Sequence, residues 1–125
     1  MTNGPGGWNT VTPRIVVEDA AGFVAFLKSV FEATGEFQAA GPSQIRIGDS
    51  LLMVSPTGTR ETFPAFLYVY VKDADATFQR ALDAGAVSLE AVWDTLYGYR
   101  RGMVRDAWGN VWQVATRLHR GPSVP

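Results

Sequence analysis

Large apolar residues recur along the chain with two periods, and the alternation between the periods outlines a fold. Over residues 11–17, Ile15 and Val17 fall on one side of an extended chain and Thr12, Arg14 and Val16 on the other, the pattern of a strand. Asp19 follows as an N-cap. Over residues 20–33, Phe23, Phe26, Leu27, Val30 and Phe31 return at spacings of three and four, the stripe of an amphipathic helix lying on a sheet, with Gly35 expected to end it. Three short strands are predicted next, at residues 36–40, 44–47 and 51–55, separated by Gly41-Pro42 and Gly48-Asp49-Ser50. After a polar, turn-rich connection over residues 57–64 the order begins again. Residues 65–71 read as a strand, Asp73 as a cap, Phe78, Ala81 and Leu82 as a helical stripe, and Gly85 as its stop. Strands at residues 87–93, 99–105 and 111–116 complete the pattern, the last two joined by the turn Asp106-Ala107-Trp108-Gly109-Asn110.

The two halves match. Val16-Val17-Glu18-Asp19 and Tyr70-Val71-Lys72-Asp73 occupy the same strand-to-helix junction, the mark of an internal duplication. The sequence therefore predicts an α+β fold of two βαβββ modules, about residues 10–56 and 65–117, within a single domain spanning residues 10–118. Two copies that cannot each bury a sheet face alone would pair into a curved, partly open eight-stranded barrel, with helices outside and a groove inside. Gly4, Pro5, Gly6 and Gly7 mark residues 1–9 as a weakly ordered tail, and residues 119–125 read as another.

Composition narrows the classes of function. With 125 residues and 46% hydrophobic content the chain can bury a core, while 11 basic and 12 acidic residues leave no general attraction to nucleic acid or an anionic membrane. No apolar run approaches transmembrane length, and the amino terminus lacks the charged and apolar regions of a secretory signal, so a soluble, cytoplasmic protein is expected. Cysteine is absent, which removes disulfides, thiolate metal sites and cysteine nucleophiles together.

Read in order, the segments TPRIVVEDA (12–20), RIGDSLLMV (46–54), YVYVKDADATF (68–78), ALDAGA (81–86), YGYRRGMVRD (97–106) and DAWGNVWQVATR (106–117) are similar to those of the glyoxalase, bleomycin-resistance and extradiol-dioxygenase superfamily, also called vicinal oxygen chelate (VOC). Within it the chain resembles the PhnB-like branch, over about residues 10–117. The resemblance implies that four inward-facing strand positions carry metal ligands in members that bind a metal; here those positions match Thr12, Met53, Phe66 and Gln113. A hydroxyl, a thioether, a phenyl ring and an amide make a poor donor set for a divalent cation, so no metal and no cofactor are expected. The single histidine, His119, reads as a solvated tail residue, and Asn110, where relatives often have histidine, as a residue that satisfies the backbone of its turn.

Strand parity would line the groove with Phe66, Tyr68 and Tyr70 in a row, with Arg14, Gln44 and Arg46 facing them from the first module, and would place Trp112 in the core beneath the helices. Trp93, Tyr97 and Tyr99 surround a loop that borders the pocket in relatives, and Arg100 and Arg101 beside them either clamp an anionic group or cap strands. An aromatic groove with a few polar anchors suits a planar small molecule. The candidate ligand-binding residues are thus Thr12, Arg14, Arg46, Met53 and Gln113 together with the aromatic set Phe66, Tyr68, Tyr70, Trp93 and Tyr97.

The expected function is metal-independent binding of an aromatic small molecule, such as an antibiotic, by sequestration. The alternative is a VOC enzyme, a lyase or isomerase, for which Glu18, Glu61, Glu90 and Asp94 are available acids without a visible partner, so no catalytic residue is assigned. A duplicated domain serving as an interaction module is a third reading. The resemblance also implies a homodimer.

Overall fold

The computed structural model describes residues 7–58 and 60–118, and the chain separates after Ala65 into two compact units. His119 and the tail after it lie outside the described residues. No described helix is long and apolar enough to cross a membrane.

The first unit contains β1 (Arg14–Val17), α1 (Ala20–Phe31), β2 (Ser43–Ile47) and β3 (Ser50–Pro56). Its strands are ordered β1-β3-β2, with β1 parallel and β2 antiparallel to β3. Parallel neighbours require a crossover, and α1 lies within it. The helix begins where the Asp19 carboxylate accepts the Gly22 N–H at 3.0 Å. Its buried stripe, Phe23, Phe26, Leu27 and Val30, covers the sheet face carrying Ile15, Val17, Ile45, Leu52 and Val54, all buried.

Three local expectations need correction here. The first strand starts at Arg14 rather than Val11, because the segment before it is held by side chains: Thr12 donates to the Asn9 carbonyl at 2.9 Å, and the Asn9 side chain accepts the Leu51 N–H at 3.3 Å. The helix ends at Phe31, with Glu32 in the left-handed region at φ 56°, rather than at Gly35. Gly35 has another task. At φ 118° it runs so close to β2 that a Cβ there would strike the Gln44 carbonyl oxygen. Lastly, residues 36–40 form no strand. Thr34 makes a single bridge to Arg46, after which the Gln38 N–H donates to the Ser43 hydroxyl at 2.7 Å and Gly41, at φ 99°, turns the chain into β2.

The second unit contains β4 (Phe66–Tyr70), α2 (Ala74–Asp83), β5 (Val87–Asp94), β6 (Tyr99–Arg105) and β7 (Val111–Arg117), a βαβββ order. Its strands are arranged β4-β7-β6-β5, with the first strand parallel to the last, as in the first unit. Asp73 repeats the role of Asp19, accepting the Ala76 N–H at 3.1 Å. The internal duplication is therefore visible in topology and in capping, and the fold is α+β with sheets of three and four strands and one helix to each unit.

α2 packs across β5, β6 and β7. Gly102 on β6 makes this possible: a Cβ there would lie 2.8 Å from Val92 Cγ2 and 2.9 Å from Phe78 Cδ1. Gly102→Ala is expected to push Phe78 off the sheet and destabilise the chain by about 1–3 kcal/mol, read as a lower urea midpoint with the secondary-structure spectrum preserved.

The turn between β6 and β7 is organised by one buried carboxylate. Asp106 accepts the backbone N–H groups of Trp108 and Asn110, both at 2.9 Å, the Asn110 side-chain amide at 3.2 Å, and the Trp112 indole N–H at 2.8 Å. Asn110 is expected to satisfy this turn's backbone, and its side chain donates to the aspartate that accepts the turn's N–H groups. Trp112 is fully buried, as the strand parity predicts for a core residue.

Candidate functional site

The face of the second unit's sheet opposite α2 is the chemically richest surface of that unit, and the register shows which side chains share it. One row runs Tyr70, Ala115, Arg101, Trp93 across β4, β7, β6 and β5; the next runs Tyr68, Gln113, Met103, Glu90. Phe66 and Val111 begin the row beyond. Neighbouring strands lie about 4.8 Å apart, so each row presents contiguous side chains. The Tyr68 and Tyr70 rings are tilted against each other at 5.2 Å between centroids, and Tyr70 lies 5.8 Å from Tyr99. Such tilted pairs are favoured by the ring quadrupoles. Phe66 and Tyr70 remain 68% and 69% exposed, a degree of exposure unusual for large aromatics side by side.

Arg101 sits among these rings. Its Nη1 donates to the Tyr97 hydroxyl at 2.6 Å, its Nη2 to Glu90 Oε1 at 3.3 Å, and its guanidinium carbon lies 5.9 Å from the Tyr97 ring centroid. Tyr97 is held there by the β5–β6 hairpin. In that hairpin the Thr95 hydroxyl donates to the Tyr99 carbonyl at 2.7 Å, and Gly98 takes φ 93°. Burial raises the pKa of Tyr68 above its usual value, an effect the neighbouring Arg101 charge only partly offsets, so Tyr68 presents a neutral hydroxyl at physiological pH.

Arg100, next in sequence, points to the other face and joins α2 to β5. Its Nε and Nη2 bond Asp75 at 2.7 and 3.1 Å, and Nη1 bonds Asp94 at 2.9 Å. These hydrogen bonds raise the Arg100 pKa and, through Arg100, lower that of Asp75. The two arginines that the sequence left undivided thus have separate roles.

In the first unit, considered by itself, Arg14, Met53 and Gln44 form one row across β1, β3 and β2, and Arg46 lies on the same face, opposite Leu51. Arg14 Nε donates to the Ser55 hydroxyl at 3.0 Å. Thr12 lies outside the strand, bonded to Asn9.

Of the positions matched to metal ligands, Phe66 and Gln113 share one face of the second sheet, in adjacent rows, and Met53 belongs to the first sheet. Among the described residues no three His, Cys, Asp or Glu side chains gather as a metal-binding group. The residues present at these positions do not fit a divalent cation, which requires several anionic or imidazole donors at one point.

The sequence profile of the Glyoxalase/Bleomycin resistance protein/Dioxygenase superfamily matches residues 9–114. The chain belongs to this superfamily. Uncharacterized proteins of Mycobacterium bovis and Mycobacterium tuberculosis are each 32% identical to it over 123 residues, covering 83% of this chain and 80% and 72% of theirs. Solved structures with the superfamily fold include TioX from Micromonospora sp. ML1, with a TM-score of 0.72 and 22% identity over 91% of this chain and all of its own. The fosfomycin resistance protein FosX from Mesorhizobium loti aligns with a TM-score of 0.67 and 17% identity over 93% of each chain. Likenesses this distant in sequence show the fold alone, and the reaction or ligand has to be argued from the site.

Glu90 escaped assignment from sequence. It stands with Trp93 on the aromatic face because β5 is irregular, with register shifts between Ser88 and Glu90 and between Glu90 and Trp93. Regular alternation would have put the two residues on opposite faces.

Proposed function

We propose that the protein is a metal-independent binder of an aromatic small molecule, which stacks on the second unit's exposed sheet face. The observation that carries this reading is the cluster in which Tyr70 is tilted against both Tyr68 and Tyr99, on a sheet face that also carries the exposed rings of Phe66 and Trp93. Aromatic rings held in this way supply contact area at little entropic cost, and each aromatic pair adds roughly 0.5–1.5 kcal/mol beyond area burial. Gln113, in the row of Tyr68, offers an amide to orient a polar edge of the ligand. In the first unit, considered by itself, Arg14, Met53 and Arg46 share one face of the sheet. Antibiotic sequestration is the biological form this takes, in keeping with a fold shared with the fosfomycin resistance protein FosX. The working species is a cytoplasmic homodimer, which sedimentation at micromolar concentration checks.

A thermal-shift screen of aromatic drugs and natural products, run with a chelator present, tests the reading. A ligand at about a hundred times its Kd should stabilise the chain by roughly 2.7 kcal/mol. Tyr68→Ala should shrink that shift, and mass spectrometry should recover the ligand unchanged. A screen without a hit would contradict the proposal, and a hit recovered as a transformed product would move the protein to the VOC lyase or isomerase reading.

A further inference from the structure

Arg101 is a cation with incomplete company. A guanidinium has five N–H groups in a fixed fork. Of these, one bonds the Tyr97 hydroxyl and one reaches Glu90 at 3.3 Å, long beside the roughly 2.7–2.9 Å of a good charge-assisted bond, and the guanidinium also hydrogen-bonds the neutral Tyr68 side chain. The Nε is buried with no hydrogen-bond partner among the described residues. The side chain is only 18% exposed, so water does little to complete its solvation. An underpaired donor in such surroundings is costly, and it calls for an explanation beyond folding.

The geometry of its neighbours supplies one. Tyr97 lies over the guanidinium, yet it is 61% exposed and belongs to the short β5–β6 hairpin, where a rotation of its side chain meets solvent. Its hydroxyl is a neutral acceptor standing where a stronger, charged acceptor would satisfy Arg101 better. Ala115, the neighbour of Arg101 on β7, has a side chain too short to stand between Arg101 and Tyr70, so a ring stacked on Tyr70 would have its edge toward Arg101.

We propose that Arg101 reads an anionic group on the aromatic ligand, a carboxylate, sulfonate or phenolate, and that Tyr97 occupies the guanidinium until the anion displaces its hydroxyl. The inference rests on the aromatic binding face proposed above and adds the charge its ligand must carry.

Two fluorescent probes with the same aromatic skeleton test it: anilinonaphthalene sulfonate, which carries an anion, and uncharged phenylnaphthylamine. Each is titrated into the full chain and its Kd read from the emission increase. The wild type should bind the sulfonate at least tenfold more tightly than the neutral probe. Arg101→Gln should remove that preference by weakening the sulfonate alone. Tyr97→Phe, a substitution on an exposed side chain that keeps the ring and removes the competing hydroxyl, should tighten the sulfonate several-fold and widen its preference over the neutral probe. Equal affinity of the two probes for the wild type, or an equal loss of both in Arg101→Gln, would overturn the inference while leaving the aromatic face in place. If Tyr97→Phe weakens the sulfonate, displacement of the hydroxyl is wrong. Binding of neither probe would overturn the aromatic face itself, and this inference with it.

Discussion

Replacing Trp112 by alanine should lower the unfolding free energy by about 3–5 kcal/mol, the range for truncating a large aromatic in a packed core. Trp112 is the largest of the fully buried side chains, on the sheet face that α2 covers, so its removal leaves a cavity that the neighbouring strands cannot close. It also leaves Asp106 without its indole donor, a bond of 2.8 Å. Trp112→Phe separates the two effects: it keeps most of the volume, removes the hydrogen bond, and should cost about 1–3 kcal/mol. Urea denaturation of both variants checks the pair. A loss below about 1 kcal/mol in Trp112→Ala would mean that the β7 face is not the core described here.

Asp106→Ala should be comparably severe. The carboxylate is 4% exposed and accepts four hydrogen bonds, two from the turn backbone and two from side chains. Hydrogen bonds to a charged acceptor contribute about 1.5–3 kcal/mol each, and their donors lie in a buried turn where little water can replace the oxygen atoms. A net loss on the order of 3 kcal/mol or more is expected, with the β6–β7 turn gaining hydrogen-exchange rates earliest. Since Asp106 and Trp112 share a bond, the double variant should lose less than the sum of the single losses. Additive losses would show that the two residues stabilise the chain independently.

How much of this was legible in the sequence differs by element. The strands and the helix of the second unit follow from period and punctuation because Asp73, Gly85 and the Asp106 turn mark where elements begin and end. Residues 36–40 misled because strand-like composition does not fix a partner, and the ladder ends after one bridge when the chain turns at Gly41. The row of Phe66, Tyr68 and Tyr70 was readable from alternation alone, since β4 pairs with β7 in unbroken register. The partition of Arg100 and Arg101 was not, because parity separates adjacent residues without telling which face carries the helix. The place of Glu90 could not be read at all: a register irregularity leaves no mark in composition, and only pairing with β6 reveals it. The hub role of Asp106 had a signal in its turn sequence, but a carboxylate that serves backbone and indole together is recognised only once the turn is folded.

The central claim is that a small aromatic molecule binds, unaltered, on the open face that carries Tyr68, Tyr70 and Tyr99. The most direct measurement is a ligand titration followed by NMR on protein labelled in its tyrosine rings, with the ligand's own resonances observed in the same tube. The ring signals of Tyr68, Tyr70 and Tyr99 should shift together by ring-current effects, while the ligand's spectrum after release should be that of the compound added. Ligand binding that leaves all three rings unmoved, or the growth of new ligand resonances belonging to a product, would contradict it.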